Sequence, residues 1–218
     1  LVFFNGLIIQ QFKLNPFVVT LATQQIFRGV ASILTNGNSV SGLSANVKFI
    51  GQQMVFGLLP FSFAIVIVIT LIMAIFIYYT KYGRYILATG GNIEAARVSG
   101  INVKAIQILA YVFVGLCAAI SSIVLTGRVA VAMPNAGAGM EMDIVAAVVI
   151  GGTPMSGGKV NIIGSIIGCF IMGIINNCLN LAGVSTFWQW VAKGIIIVFA
   201  IYLDSKTESF FLQKKKRI

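Results

Sequence analysis

The sequence predicts an all-α fold, a polytopic bundle of transmembrane helices with one short helix on the cytoplasmic side. Hydrophobic residues make up 58% of the 218 residues and charged residues only 9%, against about 25% in ordinary soluble domains. The mean hydropathy is +0.98, and apolar runs recur at lengths near the ~20 residues that a helix needs to cross a bilayer. A soluble domain could not cover its surface with so few polar residues, which leaves a helical integral membrane protein.

The first half of the chain contains a partial helix and two predicted spans. Residues 1–12 are apolar but too short to cross, so we expect the end of a helix that starts before this sequence, a C-terminal fragment. A moderately apolar span is predicted at 16–35, where Arg28 indicates a side that faces other helices rather than lipid. A polar stretch at 36–53 separates this span from the most apolar one, at 58–80.

The second half is predicted to cross the membrane again after a polar loop at 81–104. The further segments are 105–127, 143–156, 160–181 and 186–204. Segment 143–156 is short and broken by glycines, so it either crosses or re-enters on the same side. Lys193 lies inside the last span, where pairing within the bundle competes with snorkelling to the surface. Residues 1–204 are predicted to form one transmembrane domain and residues 205–218 a basic cytoplasmic tail.

Positive charge predicts the orientation, because Lys and Arg accumulate in the cytoplasmic loops of membrane proteins. If the 81–104 loop is cytoplasmic, eleven of the 15 Lys and Arg residues lie on that side. They are Lys13, Lys81, Arg84, Arg97, Lys104, Lys159, Lys206, Lys214, Lys215, Lys216 and Arg217. The C-terminus is therefore expected in the cytoplasm, and the net charge of +10 indicates contact with anionic lipid rather than nucleic acid.

The composition excludes most catalytic chemistry. The chain has no His and only five acidic residues, so no Ser–His or Cys–His pair and no His-based zinc site can form. The segment around Gly158 superficially resembles a phosphate-binding loop, but Thr153 stands where that motif needs Gly, and Val160 where it needs Ser or Thr. We therefore predict no catalytic residue, no metal site and no cofactor.

Glycines and amides within the apolar segments are candidates for lining a path through the membrane. Irregular backbone is tolerated at membrane depth only where it is buried in protein or lines water, so the break at 151–158 either lines such a path or forms a tight turn at the rim. The glycines concerned are Gly151, Gly152, Gly157 and Gly158. Three amides further on either hydrogen-bond to neighbouring helices or bind solute hydroxyl groups: Asn176, Asn177 and Asn180. Gly164 and Gly168 form a GxxxG pair, which predicts close helix packing within or between subunits.

The segment 92–101 is the most specific local pattern. Asn92 is a suitable N-cap, Glu94 lies near the positive end of the helix dipole, and Gly100 supplies a left-handed stop. One interpretation is a well-capped connecting helix; the other is a rigid contact for another protein, in which small residues allow close packing and charges orient the partner. The residues available for such a contact are Glu94, Ala95, Ala96 and Arg97.

Glu94-Ala95-Ala96 followed by Gly100 resembles the coupling-loop motif of bacterial ABC importer permeases. The wider sequence is similar to the ribose-type sugar permeases of that group. The similar stretches are 16–42, 83–103, 140–160 and 176–194, in the same order as in the family.

The resemblance implies a permease subunit of an ATP-driven importer in the bacterial inner membrane. Such a subunit pairs in the membrane, normally with a second copy, and receives a monosaccharide from an extracytoplasmic binding protein. A separate ATP-binding cassette subunit hydrolyses ATP and binds the coupling helix, which is expected at 92–101. The alternatives are a permease of the related branched-chain amino-acid importers, an ion-coupled secondary transporter and a purely structural membrane subunit. An ion-coupled transporter would need acidic residues within the membrane, and the sequence predicts none in the middle of a span.

Overall fold

The computed structural model describes residues 2–12, 14–55, 57 and 59–215, without the side chains of 55, 200–201 and 203–215. The charges predicted at Lys13, Lys216 and Arg217 lie outside these residues. The described elements are, in order, α1 (Val2–Phe12), α2 (Pro16–Leu34), α3 (Ala45–Gln52), β1 (Met54–Val55), β2 (Leu59–Pro60), α4 (Phe61–Tyr79), α5 (Lys81–Gly91), α6 (Ile93–Val98), α7 (Val103–Val129), α8 (Met140–Ile150), α9 (Ile162–Leu181) and α10 (Thr186–Lys215).

The predicted all-α membrane fold is confirmed. Among the described residues, four helices are long and apolar enough to cross a membrane: α2, α4, α7 and α9. They coincide with predicted spans to within a few residues. Helix α4 begins at Phe61 rather than 58 because the residues before it pair as a small antiparallel hairpin, Val55 opposite Leu59. The apolar helices α1 and Thr186–Phe199, the first part of α10, are shorter than the four.

Two helices occupy stretches that the sequence presented as polar connections. Helix α3 lies within the polar stretch 36–53, and α5 fills the first half of the predicted loop 81–104. Helix α3 packs on α7 through two glycines, since a Cβ on Gly127 would lie 2.3 Å from the Val47 carbonyl oxygen. Helix α5 folds back at the end of α4, where a Cβ on Gly83 would meet the Ile77 carbonyl oxygen at 2.2 Å. Both helices depend on close backbone contacts, which cannot be predicted from the pattern of apolar residues.

Helices α8 and α10 differ from the predicted segments in length. Helix α8 has 11 residues, about 16 Å, and ends at Gly151, so the glycine break is outside the helix. Helix α10 has 30 residues and does not end at 204, because its backbone continues to Lys215 through most of the predicted tail.

The chain divides into two compact units. The first comprises Leu1–Thr89 and Ile93–Ala136, and the second Gly90–Asn92 and Gly137–Ile218. In the first unit, Asn5 of α1 donates a hydrogen bond to the Thr23 hydroxyl of α2 over 2.9 Å. Phe76 of α4 packs on Phe113 of α7 with ring centres 4.3 Å apart.

The second unit is built around close packing of α8 on α9. Ala146, Ala147 and Met172 form its buried core. The GxxxG pair faces α8, since a Cβ on Gly168 would lie 1.9 Å from the Ala147 carbonyl oxygen and one on Gly164 1.9 Å from that of Gly151. The predicted close packing is therefore made within the chain.

Gly168→Ala is expected to destabilise the protein by about 1–3 kcal/mol, because α8 must move away from α9 to admit a methyl group. Gly173→Ala is the matched control on the same helix, where a Cβ would meet nothing within 4 Å. Thermal unfolding of the detergent-purified protein measures the difference. Equal melting temperatures for the two variants would contradict the packing.

Candidate functional site

Helix α6 has the strong stop that the sequence predicted. Gly100 has a φ of +79°, a left-handed conformation that costs glycine little. Its N–H donates to the Arg97 carbonyl over 3.0 Å, and the Ile101 N–H donates to the Ala96 carbonyl over 3.1 Å. These two bonds form a Schellman motif, which satisfies carbonyls that the helix end would otherwise leave open. Asn102 then accepts a hydrogen bond from the Ala105 N–H and caps α7, so a few residues separate two firmly bounded helices.

The two charges of α6 pair with each other on the surface. Arg97 Nη1 lies 2.9 Å from Glu94 Oε1 and 3.0 Å from Oε2, and both side chains are largely exposed. Residues three apart on a helix are neighbours, so this contact forms without any tertiary support. Both charged side chains are accessible from outside the chain. Because they pair with each other, their net charge is zero and they do not form a positive patch.

The small residues of α6 face opposite ways. Ala96 is 3% exposed and packs within its own chain, whereas Ala95 is exposed. Val98 is 88% exposed and Ile93 is also exposed. The exposed surface of α6 therefore consists of Ile93, Ala95 and Val98 with the charged pair, whereas Ala96, one of the residues predicted for a partner contact, is buried.

A cleft of about 610 Å³ opens beside α6 in the first unit. Its lining includes Glu94 and Arg97 of α6, Gln10 of α1 and Gln107 of α7. The two glutamine side chains are hydrogen-bonded to each other and fix α1 against α7 next to the cleft.

The loop between α8 and α9 is folded by side-chain hydrogen bonds. Thr153 accepts from the Asn161 N–H over 3.0 Å, and its hydroxyl lies 3.2 Å from that of Ser165. Asn161 in turn accepts from the Gly164 N–H and caps α9. Gly151 is buried against α9, and Gly152 is in the left-handed region. Thr153, the residue at which the sequence departs from the phosphate-loop motif, thus holds this loop to the start of α9 by hydrogen bonds.

A half-buried ion pair joins α8 to α10 in the second unit. Lys193 Nζ lies 2.8 Å from Asp143 Oδ2, with the two side chains 22% and 17% exposed. Asn176 of α9 donates to the same oxygen over 3.1 Å, so three helices meet at one carboxylate. Lys193 therefore pairs within the bundle, one of the two outcomes considered from the sequence.

Asp143 is the residue that sequence reasoning missed. It is the first residue of the predicted segment 143–156, and in the structure it lies in the first turn of α8, where a carboxylate is favoured by the helix dipole. The signal was the unpaired lysine in an apolar span, which requires an acid from another segment. Asp143 Oδ1 and Asn176 Oδ1 are buried without a hydrogen-bond partner among the described residues.

The remaining predicted residues are dispersed. Asn180 accepts a hydrogen bond from Gln189 of α10 over 2.9 Å, whereas Asn177 is exposed. Arg28 is half-buried on α2 in the first unit. Of the three amides, Asn176 and Asn180 thus bond to neighbouring helices of the same unit.

Comparison with known proteins identifies the family. A family model described as "Branched-chain amino acid transport system / permease component" matches residues 1–201. The chain belongs to this permease family. With its four apolar helices, it is a multi-pass membrane protein.

Three curated relatives of the permease chain are named as sugar permeases. The ribose import permease protein RbsC of Bacillus subtilis (strain 168) is 42% identical over 204 residues, 93% of this chain and 63% of the relative. The D-allose permease protein AlsC of Escherichia coli (strain K12) is 37% identical, covering 92% of this chain and 61% of the relative. The L-arabinose permease protein AraH of the same strain is 35% identical, covering 98% and 63%. The permease chain thus spans just under two thirds of the length of these relatives. No solved structure matches it.

Proposed function

We propose that this chain is part of the membrane-spanning subunit of an ATP-driven importer that carries a monosaccharide of the ribose type. The observation that supports this most is the 42% identity to a ribose import permease across 93% of the chain. The allose and arabinose permeases are also similar, which favours a sugar over a branched-chain amino acid. A neutral, hydroxylated solute agrees with spans in which few charges are fixed.

The proposed partners follow from the division of labour in such importers. The similarity to permease proteins of import systems supports a separate cassette ATPase that would hydrolyse ATP. An extracytoplasmic binding protein would deliver the sugar, and a second copy of the permease would complete the pathway. The orientation expected from the charge distribution places α6 and the C-terminus in the cytoplasm.

The proposed mechanism assigns α6 as the coupling helix. The Gly100 stop fixes its C-terminal end and Asn102 caps the start of α7, so we expect a force on α6 to displace the helix together with this short connection. Because α7 starts a few residues later, that displacement reaches a transmembrane helix directly. An ATPase dimer that closes on ATP could then switch the access of the pathway, since its contacts with α6 differ between the two states.

The proposal is tested by transport in reconstituted vesicles. The permease, its cassette ATPase and the binding protein are reconstituted with internal ATP, and uptake of radiolabelled ribose is measured in competition with unlabelled allose, arabinose or leucine. We expect ATP-dependent ribose uptake that a sugar inhibits and leucine does not. Inhibition by leucine alone would assign the chain to amino-acid transport, and uptake without the ATPase would assign it to ion-coupled transport.

A further inference from the structure

Four glycines meet at one point of the second unit. A Cβ on Gly157 would lie 2.7 Å from the Gly90 carbonyl oxygen and 3.3 Å from Gly90 Cα. A Cβ on Gly90 would lie 3.1 Å from the Gly158 nitrogen, and one on Gly91 3.3 Å from Gly158 Cα. The two backbones are thus too close for any side chain between Gly90 and Gly157. We call this the glycine contact, formed by Gly90, Gly91, Gly157 and Gly158.

One side of the glycine contact belongs to a well-fixed loop. Gly157 has a φ of +84°, and its N–H donates to the Pro154 carbonyl over 3.2 Å. The Thr153 N–H donates to the Val148 carbonyl of α8 over 3.1 Å, and the Thr153 hydroxyl is bonded to the start of α9. A displacement of the loop therefore also moves the end of α8 and the start of α9.

The other side of the glycine contact adjoins α6 in the chain. Gly90–Asn92 belong to the second unit and immediately precede Ile93, the first residue of α6. A movement of α6 along the chain direction thus pulls or pushes on Gly90 through three peptide units. Because close-packed backbones transmit displacement rather than absorb it, this contact is a mechanical connection.

We propose that Gly90 and Gly157 are positioning residues that stay in contact through the transport cycle and pass the displacement of α6 to the α8–α9 loop. This inference rests on the proposed function, since it assumes that α6 is moved by a partner. It adds a second route from α6, besides its direct connection to α7, that reaches helices α8 and α9. It also gives a role to the glycine-rich break that differs from both pathway lining and a plain turn.

The first test compares two left-handed glycines of the second unit. Gly157→Ala introduces a methyl group into the glycine contact, whereas Gly183→Ala, between α9 and α10, has similar left-handed strain, at a φ of +68°, with nothing within 4 Å. We expect G157A to lower ATP-driven ribose uptake about tenfold while the ATPase subunit still copurifies, and G183A to differ little from the unmodified permease. Equal uptake by G157A and G183A would overturn the proposal.

The second test locks the glycine contact instead of opening it. Gly91→Cys and Gly158→Cys are combined in a background where Cys117, Cys169 and Cys178 are replaced by Ser, because these three cysteines are free. A Cβ on residue 91 would lie 3.3 Å from Gly158 Cα, a separation compatible with a disulfide between the two positions. We expect oxidation to join the pair and ribose uptake to persist, because the contact need not open.

Two results of the second test would contradict the proposal. Failure of the cysteine pair to oxidise would contradict the contact itself, and uptake that is lost on oxidation and restored by reduction would show that the contact must open. The unmodified permease is the control for the proposed function. If this chain is not a ribose permease, the unmodified protein also shows no ribose uptake. Disulfide formation is measured without transport and tests the contact in either case.

Discussion

Asp143→Asn is expected to lower the melting temperature of the permease more than any other single substitution considered. The variant keeps the shape of the side chain but leaves the Lys193 ammonium half-buried without a counter-ion. Breaking a fully buried ion pair costs about 3–5 kcal/mol, and here the cost falls toward the lower end because both side chains retain some exposure. Thermal unfolding of the detergent-purified permease measures the loss.

Two further variants make the ion-pair experiment specific. Glu94→Gln breaks the exposed ion pair with Arg97, whose N–O distance of 2.9 Å is nearly that of the Lys193–Asp143 pair. We expect this variant to leave the melting temperature unchanged, because exposed ion pairs contribute little to stability. Adding Lys193→Met to Asp143→Asn removes the unpaired charge and should recover part of the loss. A double variant less stable than D143N alone would show that the pair is not the source of the effect.

Val98→Asp is expected to abolish stable association with the cassette ATPase without destabilising the permease. Val98 is among the most exposed apolar side chains on the described residues, so a carboxylate there meets only water in the isolated chain. In the proposed complex the same carboxylate would be buried against the partner without a hydrogen-bond donor, which costs several kcal/mol. Copurification of the ATPase with tagged permease should fall by more than about tenfold.

Ser99→Ala is the matched control for this second experiment. The Ser99 hydroxyl donates to the Ala95 carbonyl over 2.8 Å, and its loss removes one local bond next to Val98 without adding charge. We expect the S99A permease to retain its ATPase. Full copurification of the ATPase with V98D would remove α6 from the proposed interface.

The transmembrane helices and the stop of α6 could be predicted because each depends on residues adjacent in sequence. A run of about 20 apolar residues is stable in a bilayer only as a helix, whatever surrounds it. Gly100 ends α6 because the left-handed conformation is set by the residue itself. Composition and local pattern thus sufficed for the fold class, whereas the family was indicated by the resemblance to ribose-type permeases.

The polar helices could not be predicted in the same way. Helix α3 is formed where Gly51 and Gly127 let two backbones approach, and α5 where Gly83 lets the chain fold back at Ile77. Neither segment shows an apolar run, so the sequence presented both as connections. Their stability comes from contacts with other segments rather than from their own composition.

The sequence by itself determined that this chain crosses a membrane, where its main spans lie and where the short helix α6 ends, because those properties are local. Only the tertiary structure decided that Lys193 is paired with Asp143, fifty positions away, that Ala96 is buried, and that Gly157 touches Gly90. These depend on distances between segments far apart in the chain, which hydropathy and spacing do not encode.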